Sequence, residues 1–243
     1  MRRRAIVLDR TKLGEQDLIL TMLSVEGEQL RVVAKGARKP GARLAARTEL
    51  FCDVDMLVSA GRGLGMVSEA QLIDAHEGAR SSLEALSCAS AMAEVARYTC
   101  YEDVDDAFLH PLLSRALRAC EEATDRQHLD LAFSAYAFKV LSHAGWRPVL
   151  DACVACGEPS STRFSVRAGG VLCESCAREF EGAEPVDANM LGWMAALVGG
   201  TFDALMAAPL NEETSSLLLY YAHTWASTHL DVRLRAVEFF AGV

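Results

Sequence analysis

Residues Gln29 to Thr48 read QLRVVAKGARKPGARLAART. Leu30 to Ala34 has the Val- and Leu-rich texture of a strand. Gly36, Pro40 and Gly41 then break regular structure into a loop. Arg31, Lys35, Arg38, Lys39, Arg43 and Arg47 fall in this stretch without one Asp or Glu. The 243-residue chain carries a formal charge of −9, so six uninterrupted cations run against its average. A strand feeding a flexible basic loop can offer cations to a polyanion; a solvated charged loop is the plain alternative.

On either side of this stretch the first eighty residues alternate as short strands separated by turns. Arg4 to Arg10, Leu18 to Ser24, Leu30 to Lys35, Leu50 to Ser59 and Leu64 to Asp74 are the strand candidates. Gly14 to Asp17, Val25 to Glu28 and the Gly-rich Gly61 to Gly65 are turns between them. Five strands at about ten-residue spacing predict a small barrel or sandwich. A five-stranded barrel whose loops and one sheet face bind oligonucleotides is the OB-fold, although strand counting leaves an SH3-like barrel equally open.

From about Ala79 the pattern turns helical. Ser81 and Glu84 have capping-box spacing, followed by Leu83, Leu86, Met92 and Val95 at helical intervals. A second helix is expected over Val104 to Glu121, with Phe108, Leu112, Leu113 and Leu117 on one face. Asp103, Asp105 and Asp106 read as acidic residues at its start, where the dipole favours them. Thr124 to Gln127 offers a box before an amphipathic helix, Leu129 to His143, that Gly145 ends. Asp187 and Asn211 are caps for two more. An α+β chain follows: an OB-like domain over 1–78, then an all-α domain over 79–243.

Charge divides the same way. Residues 1–47 hold eleven Lys or Arg against five Asp or Glu, and residues 81–243 hold eleven against twenty-two. A local field governs a local contact, so a basic N-terminal face and an acidic body are expected to meet different partners. No apolar run approaches the roughly 18 residues of a membrane span. Asp9, Arg10 and Lys12 interrupt the run after Met1-Arg-Arg-Arg, so no signal-peptide core follows. The expected location is the cytoplasm.

Cys153-Val-Ala-Cys156 and Cys173-Glu-Ser-Cys176 are separated by sixteen residues, within the spacing range of a four-thiolate zinc site. Each CxxC turn aims two sulfurs at one ion, and four thiolates complete a tetrahedron. A hairpin from Phe164 to Leu172 between the knuckles predicts a zinc ribbon inserted at about 150–180, with one structural Zn2+ per chain. Two disulfides are the alternative, which a reducing compartment opposes. With four protein ligands the ion has no open position and stabilises rather than catalyses. Cys52, Cys88, Cys100 and Cys120 sit in apolar patterns and read as core residues.

Nucleotide-cradling glycine motifs, HExxH and GxSxG are absent from the sequence. Gly61-Arg-Gly-Leu-Gly65 joins two strands rather than opening a helix. His223 and His229 are about 600° apart on one helix, hence on different faces. No nucleophile, base and orienter set stands out, and no enzyme is expected.

The chain resembles the RecO family of bacterial recombination mediators nearly end to end. Lys12-Leu-Gly-Glu-Gln-Asp-Leu-Ile-Leu-Thr resembles the family's G-E-x-D start of strand two, and Val33-Ala-Lys-Gly-Ala-Arg-Lys-Pro its V-A-K-G-A-R-K signature. The order of barrel, helical body and inserted four-cysteine ribbon is also similar. The resemblance implies a non-catalytic protein of recombinational DNA repair that binds single-stranded and duplex DNA and anneals complementary strands. It implies work with RecR and with single-stranded DNA-binding protein (SSB) to load RecA, at the nucleoid. Lys35, Arg38 and Lys39 would be phosphate contacts, with Arg31, Arg43 and Arg47 as neighbours. An apolar pocket with a basic rim, using Arg115, Arg118 or Arg126, would take the acidic C-terminal tail of SSB. Phe51 is the only aromatic in the first eighty residues, so backbone electrostatics should outweigh base stacking. An RNA-binding OB protein and a zinc-dependent hydrolase are the alternative readings.

Overall fold

The computed structural model describes residues 1–61, 63–159 and 161–242. The tip of the expected Gly61–Gly65 turn, Arg62, lies outside them. Five strands, β1 (Arg2–Leu13), β2 (Asp17–Ser24), β3 (Gln29–Ala34), β4 (Asp53–Gly61) and β5 (Gly63–Asp74), close into a barrel in the order β1-β2-β3-β5-β4. β4 returns to β1 with Val54 opposite Ala5, and β3 runs parallel to β5 with Val33 opposite Met66. This strand order makes the domain an OB-like barrel.

Alternation fills it. Ala5 and Val7 of β1, Leu18, Leu20 and Met22 of β2, and Val54 and Met56 of β4 point into one apolar core. Ile6, on the other face of β1, is fully buried as well. Helices α2 (Leu83–Thr99) and α3 (Leu109–Glu122) pack against β1 and β2 and cover that face. Both faces of β1 are therefore apolar, and it reads as a continuous run rather than an alternation.

Four local expectations are corrected. The stretch after Pro40 is not all loop: Arg43–Arg47 forms the short helix α1. Its residues are good helix formers, and Leu44 packs on the barrel core. Helix α2 is capped by Ser82, which accepts from the Ala85 amide; Ser81 instead donates to the Gly78 carbonyl. Helix α3 begins at Leu109, not Val104. Asp103 adopts a positive φ of 59°, and the Asp106 amide donates to Glu26 O at 2.8 Å, so the acidic trio lies in a loop tied to the β2–β3 turn. Phe108 precedes the helix and is 41% exposed.

The chain packs as two compact units, Met1–Glu122 and Ala123–Val243. In the second, α4 (Arg126–His143) is packed by α5 (Ala188–Gly199), α6 (Phe202–Met206) and α7 (Glu212–Leu230). Twelve of its residues are buried, from Leu129 to Leu141, on every side. The expected amphipathic helix is thus a central one, because neighbours surround it. Asp125, Asp187 and Asn211 cap α4, α5 and α7 through amides three residues on. Gly145, at φ 98°, follows the end of α4. A last helix, α8 (Arg235–Ala241), follows α7. Trp225 of α7 is buried and donates to Trp146 O at 3.0 Å.

The insertion between α4 and α5 carries β6 (Arg163–Ser165), β7 (Gly170–Leu172) and β8 (Glu184–Pro185) in one sheet, ordered β7-β6-β8. Phe164 of β6 packs 5.8 Å from Trp225, ring to ring, which fastens the ribbon to α7. No described helix is long and apolar enough to cross a membrane.

Candidate nucleic-acid interface and metal centre

The loop after β3 is held against the turn between β1 and β2. The Gly36 amide donates to Asp17 Oδ1 at 2.7 Å, and the Arg38 amide to Gln16 O at 2.9 Å. Arg38 Nη1 then donates to the carbonyls of Gly14 and Glu15, at 3.2 and 2.9 Å. Gly36 needs its positive φ of 68° to make the approach. The two loops form one platform at this end of the barrel, with Lys35, Arg38 and Lys39 exposed on it.

What distinguishes these cations is what they lack. Among the described residues, Arg31, Lys35, Lys39 and Arg43 make no side-chain hydrogen bond or ion pair. Arg38 and Arg47 donate only to carbonyls, Arg47 to Ala70 O at 2.8 Å. None of the six meets a carboxylate. The neighbouring arginines behave otherwise: Arg2 pairs with Asp55 at 2.9 Å, Arg3 with Glu28 at 2.9 Å and Arg4 with Asp53 at 2.8 Å. Arg2 to Arg4 are neutralised within the fold, whereas the field of residues 31–47 reaches solvent. Lys12, at the end of β1 and also without a partner among the described residues, belongs to the same surface. Sequence reading quoted it in a motif but did not single it out; its place beside the β1–β2 turn follows from the pairing register.

Phe51 contributes nothing to a stacking surface. It lies at φ 72°, ahead of β4, and is 1% exposed. Arg115, Arg118 and Arg126 are each engaged, with Glu122, Asp74 and Asp130 at 3.1, 2.8 and 2.6 Å. Arg126 also donates to Phe240 O and lies over the Phe240 ring.

The second centre is in the ribbon. Cys153, Cys156, Cys173 and Cys176 place their sulfurs within 4.8 Å of one another. The two knuckles close alike: the Gly157 amide donates to Cys153 O at 2.8 Å, and the Ala177 amide to Cys173 O at 2.9 Å. Gly157 adopts φ 79° in doing so. Cys153, Leu172 and Cys173 are buried with Val154, Phe180 and Ala183 around them. Cys156 and Cys173 Sγ are 3.8 Å apart, which is the edge of a tetrahedron with metal–sulfur bonds of about 2.3 Å. The Ser175 hydroxyl, 3.1 Å from Cys173 Sγ, and the Cys176 amide hold the Cys173 thiol down to about 6. Sharing hydrogen bonds with Cys173 and Cys156 pushes Cys176 up to about 12. The set is a soft, four-sulfur donor site for a metal ion.

His223 and His229 do not converge as ligands. His229 stacks on Trp146 at 4.7 Å and meets Trp225 edge-on at 4.3 Å. Cys52, Cys88, Cys100 and Cys120 are all buried.

Fold and site define a class: an OB-like barrel protein with a helical domain and a ribbon whose four clustered cysteines could hold a metal ion. Residues 1–76 match the family model for the recombination protein O N terminal, and residues 80–238 that for its C terminal. The chain is 33% identical over 238 residues to the DNA repair protein RecO of Bifidobacterium longum subsp. infantis, covering 96% of this chain and 95% of that relative. The chain belongs to the recombination protein O (RecO) family, a family of DNA repair and recombination.

Proposed function

We propose that this protein is a non-catalytic mediator that grips DNA by its phosphates through residues 31–47. In this reading it anneals complementary strands and, with RecR, helps load RecA onto strands coated by single-stranded DNA-binding protein. The nucleic-acid-binding domain is 1–78, working in the cytoplasm at the nucleoid. One observation carries the reading: six exposed cations in one segment meet no carboxylate, while Arg2, Arg3 and Arg4 at the start of β1 are each paired with one. Burying a chain's own counter-charges elsewhere leaves this segment as a polyanion site. Lys35, Arg38 and Lys39 make the first contacts, and Arg31, Arg43 and Arg47 extend them. Cations without aromatic neighbours release counterions and read no sequence. The ribbon takes one structural Zn2+ on Cys153, Cys156, Cys173 and Cys176, and the acidic helical unit serves protein partners, among them the SSB tail.

Affinity for single-stranded DNA measured against salt tests the reading. Wild type should lose affinity steeply as salt rises. Lys35→Ala with Arg38→Ala should make the slope shallower by about one unit per lost contact. An unchanged slope in that double variant removes the loop from the interface.

A further inference from the structure

Away from the β1–β2 turn, a groove of about 760 Å3 runs between α1 and the outer face of β1, β4 and β5. Register explains its lining. Arg2 pairs with Leu57, Asp55 with Gln71, and Leu57 with Glu69. Opposed residues share a sheet face, and the intervening Val54 and Met56 point into the core. Arg43, Leu44 and Arg47 of α1 form the other wall.

The chemistry of this groove differs from that of the loop. A track for phosphates alone has no use for carboxylates, yet Asp55 and Glu69 are present. Arg2 neutralises Asp55 at 2.9 Å. Glu69 and Gln71 make no side-chain hydrogen bond or ion pair among the described residues. They leave an acceptor and an amide on offer. Leu57, 40% exposed, supplies an apolar floor, and Leu72 stands at the groove's edge. Guanidinium groups bind phosphate and also stack on bases. A phosphate, a flat apolar face and an edge bearing both donors and acceptors together describe a nucleotide.

We infer that this groove seats one unstacked nucleotide of a single-stranded nucleic acid. The inference rests on the proposed nucleic-acid reading and deepens it. The phosphate lies against Arg43 and Arg47, the base rests on Leu57, and its edge meets Glu69 and Gln71. A duplex keeps its base edges paired, so the groove adds nothing to duplex binding. Apolar packing of the base face on Leu57 reads no base edge.

The test uses the full chain, titrated with a labelled oligothymidylate and with an abasic strand of equal length and charge. Wild type binds the thymidylate about fivefold tighter, the net worth of about one hydrogen bond to the base edge. Glu69→Ala with Gln71→Ala, or separately Leu57→Ala, brings the two affinities to parity, and Leu57→Ala, which changes no charge, leaves duplex affinity unchanged. All three positions face solvent, so these variants keep the barrel core. Lys35→Ala with Arg38→Ala weakens both strands alike and preserves their ratio. Equal affinity of wild type for both strands, or a ratio that survives the groove variants, overturns the nucleotide seat. That outcome leaves the phosphate-gripping loop standing, because only the Lys35 and Arg38 variant judges it.

Discussion

Replacing Asp53 by Asn tests whether a buried charge fastens the barrel to α3. Asp53 is 1% exposed at the start of β4. Arg4 of β1 grips both its oxygens, Nη2 at 2.8 Å and Nε at 3.1 and 3.2 Å. His110 Nε2 of α3 lies 3.6 Å away. Burial alone would raise this carboxyl, but His110 and Arg4 outweigh it and hold it at about 2, against an ordinary 3.8. A carboxylate with a depressed folded pKa contributes stability above its unfolded value, and that contribution is lost as pH falls toward the folded one. The difference corresponds to about 2 kcal/mol at neutral pH. Asp53→Asn forfeits this and leaves Arg4 without its partner, so a loss of about 2–4 kcal/mol is expected at pH 7. Urea unfolding followed by far-UV circular dichroism measures it, repeated down the acid limb. The gap between wild type and variant should be full above about pH 4 and close as pH approaches about 2. A gap that is absent at pH 7, or equally wide at both ends, refutes the assignment.

Chelating the metal at neutral pH should lower the melting temperature and unfold residues around 150–180, seen by hydrogen exchange; freshly reduced protein without stoichiometric metal would exclude the centre. Gly27 packs so closely that an added Cβ would lie 1.8 Å from Asp106 O, at φ +94°. Gly27→Ala should therefore cost several kcal/mol, on the order of 3 or more, whereas Gly14→Ala, with open space around it, should cost only about 1. Equal urea midpoints for the two variants would contradict the packing of the β2–β3 turn. Burial holds His223 and His229 below their ordinary 6.5. Their protonation favours the unfolded chain, so stability of the second unit should be complete above about pH 6.5 and fall below it. Tryptophan fluorescence reads that unit, and His229→Gln should shrink the drop.

The barrel was legible because each of its strands is bounded by turn residues, and the ribbon because CxxC spacing admits few geometries. Strand order was not: the closure of β4 on β1 and the parallel β3–β5 pair are long-range pairings that no local pattern encodes. Helix starts slipped where two candidate caps were adjacent. Ser81 and Ser82 differ only in which one the chain extends, φ −141° at Ser82 and −71° at Ser81. The α4 reading failed because periodicity reports one buried face, and a helix surrounded by neighbours buries the rest too. The candidate interface was legible as an absence of acids in Gln29–Thr48. The groove was not, since Arg2, Asp55, Glu69 and Gln71 meet only through the register of three strands.

Counting charges also concealed a division of labour that pairing exposes. Eleven cations among residues 1–47 make the N-terminal segment basic, yet Arg2, Arg3 and Arg4 are matched within the fold by Asp55, Glu28 and Asp53. Acids of β5 and α3 continue the pattern, Asp74 with Arg118 at 2.8 Å, and Glu121 with His76 at 3.1 Å and the Gly78 amide at 3.0 Å. These contacts run along one side of α3 and fix it to the barrel. Lys35, Lys39 and Arg43, by contrast, meet no carboxylate among the described residues. The clamp that completes the first unit and the bare cations that would meet a phosphate backbone thus use different residues, so a change such as Asp53→Asn should alter stability while leaving the salt dependence of DNA binding in place.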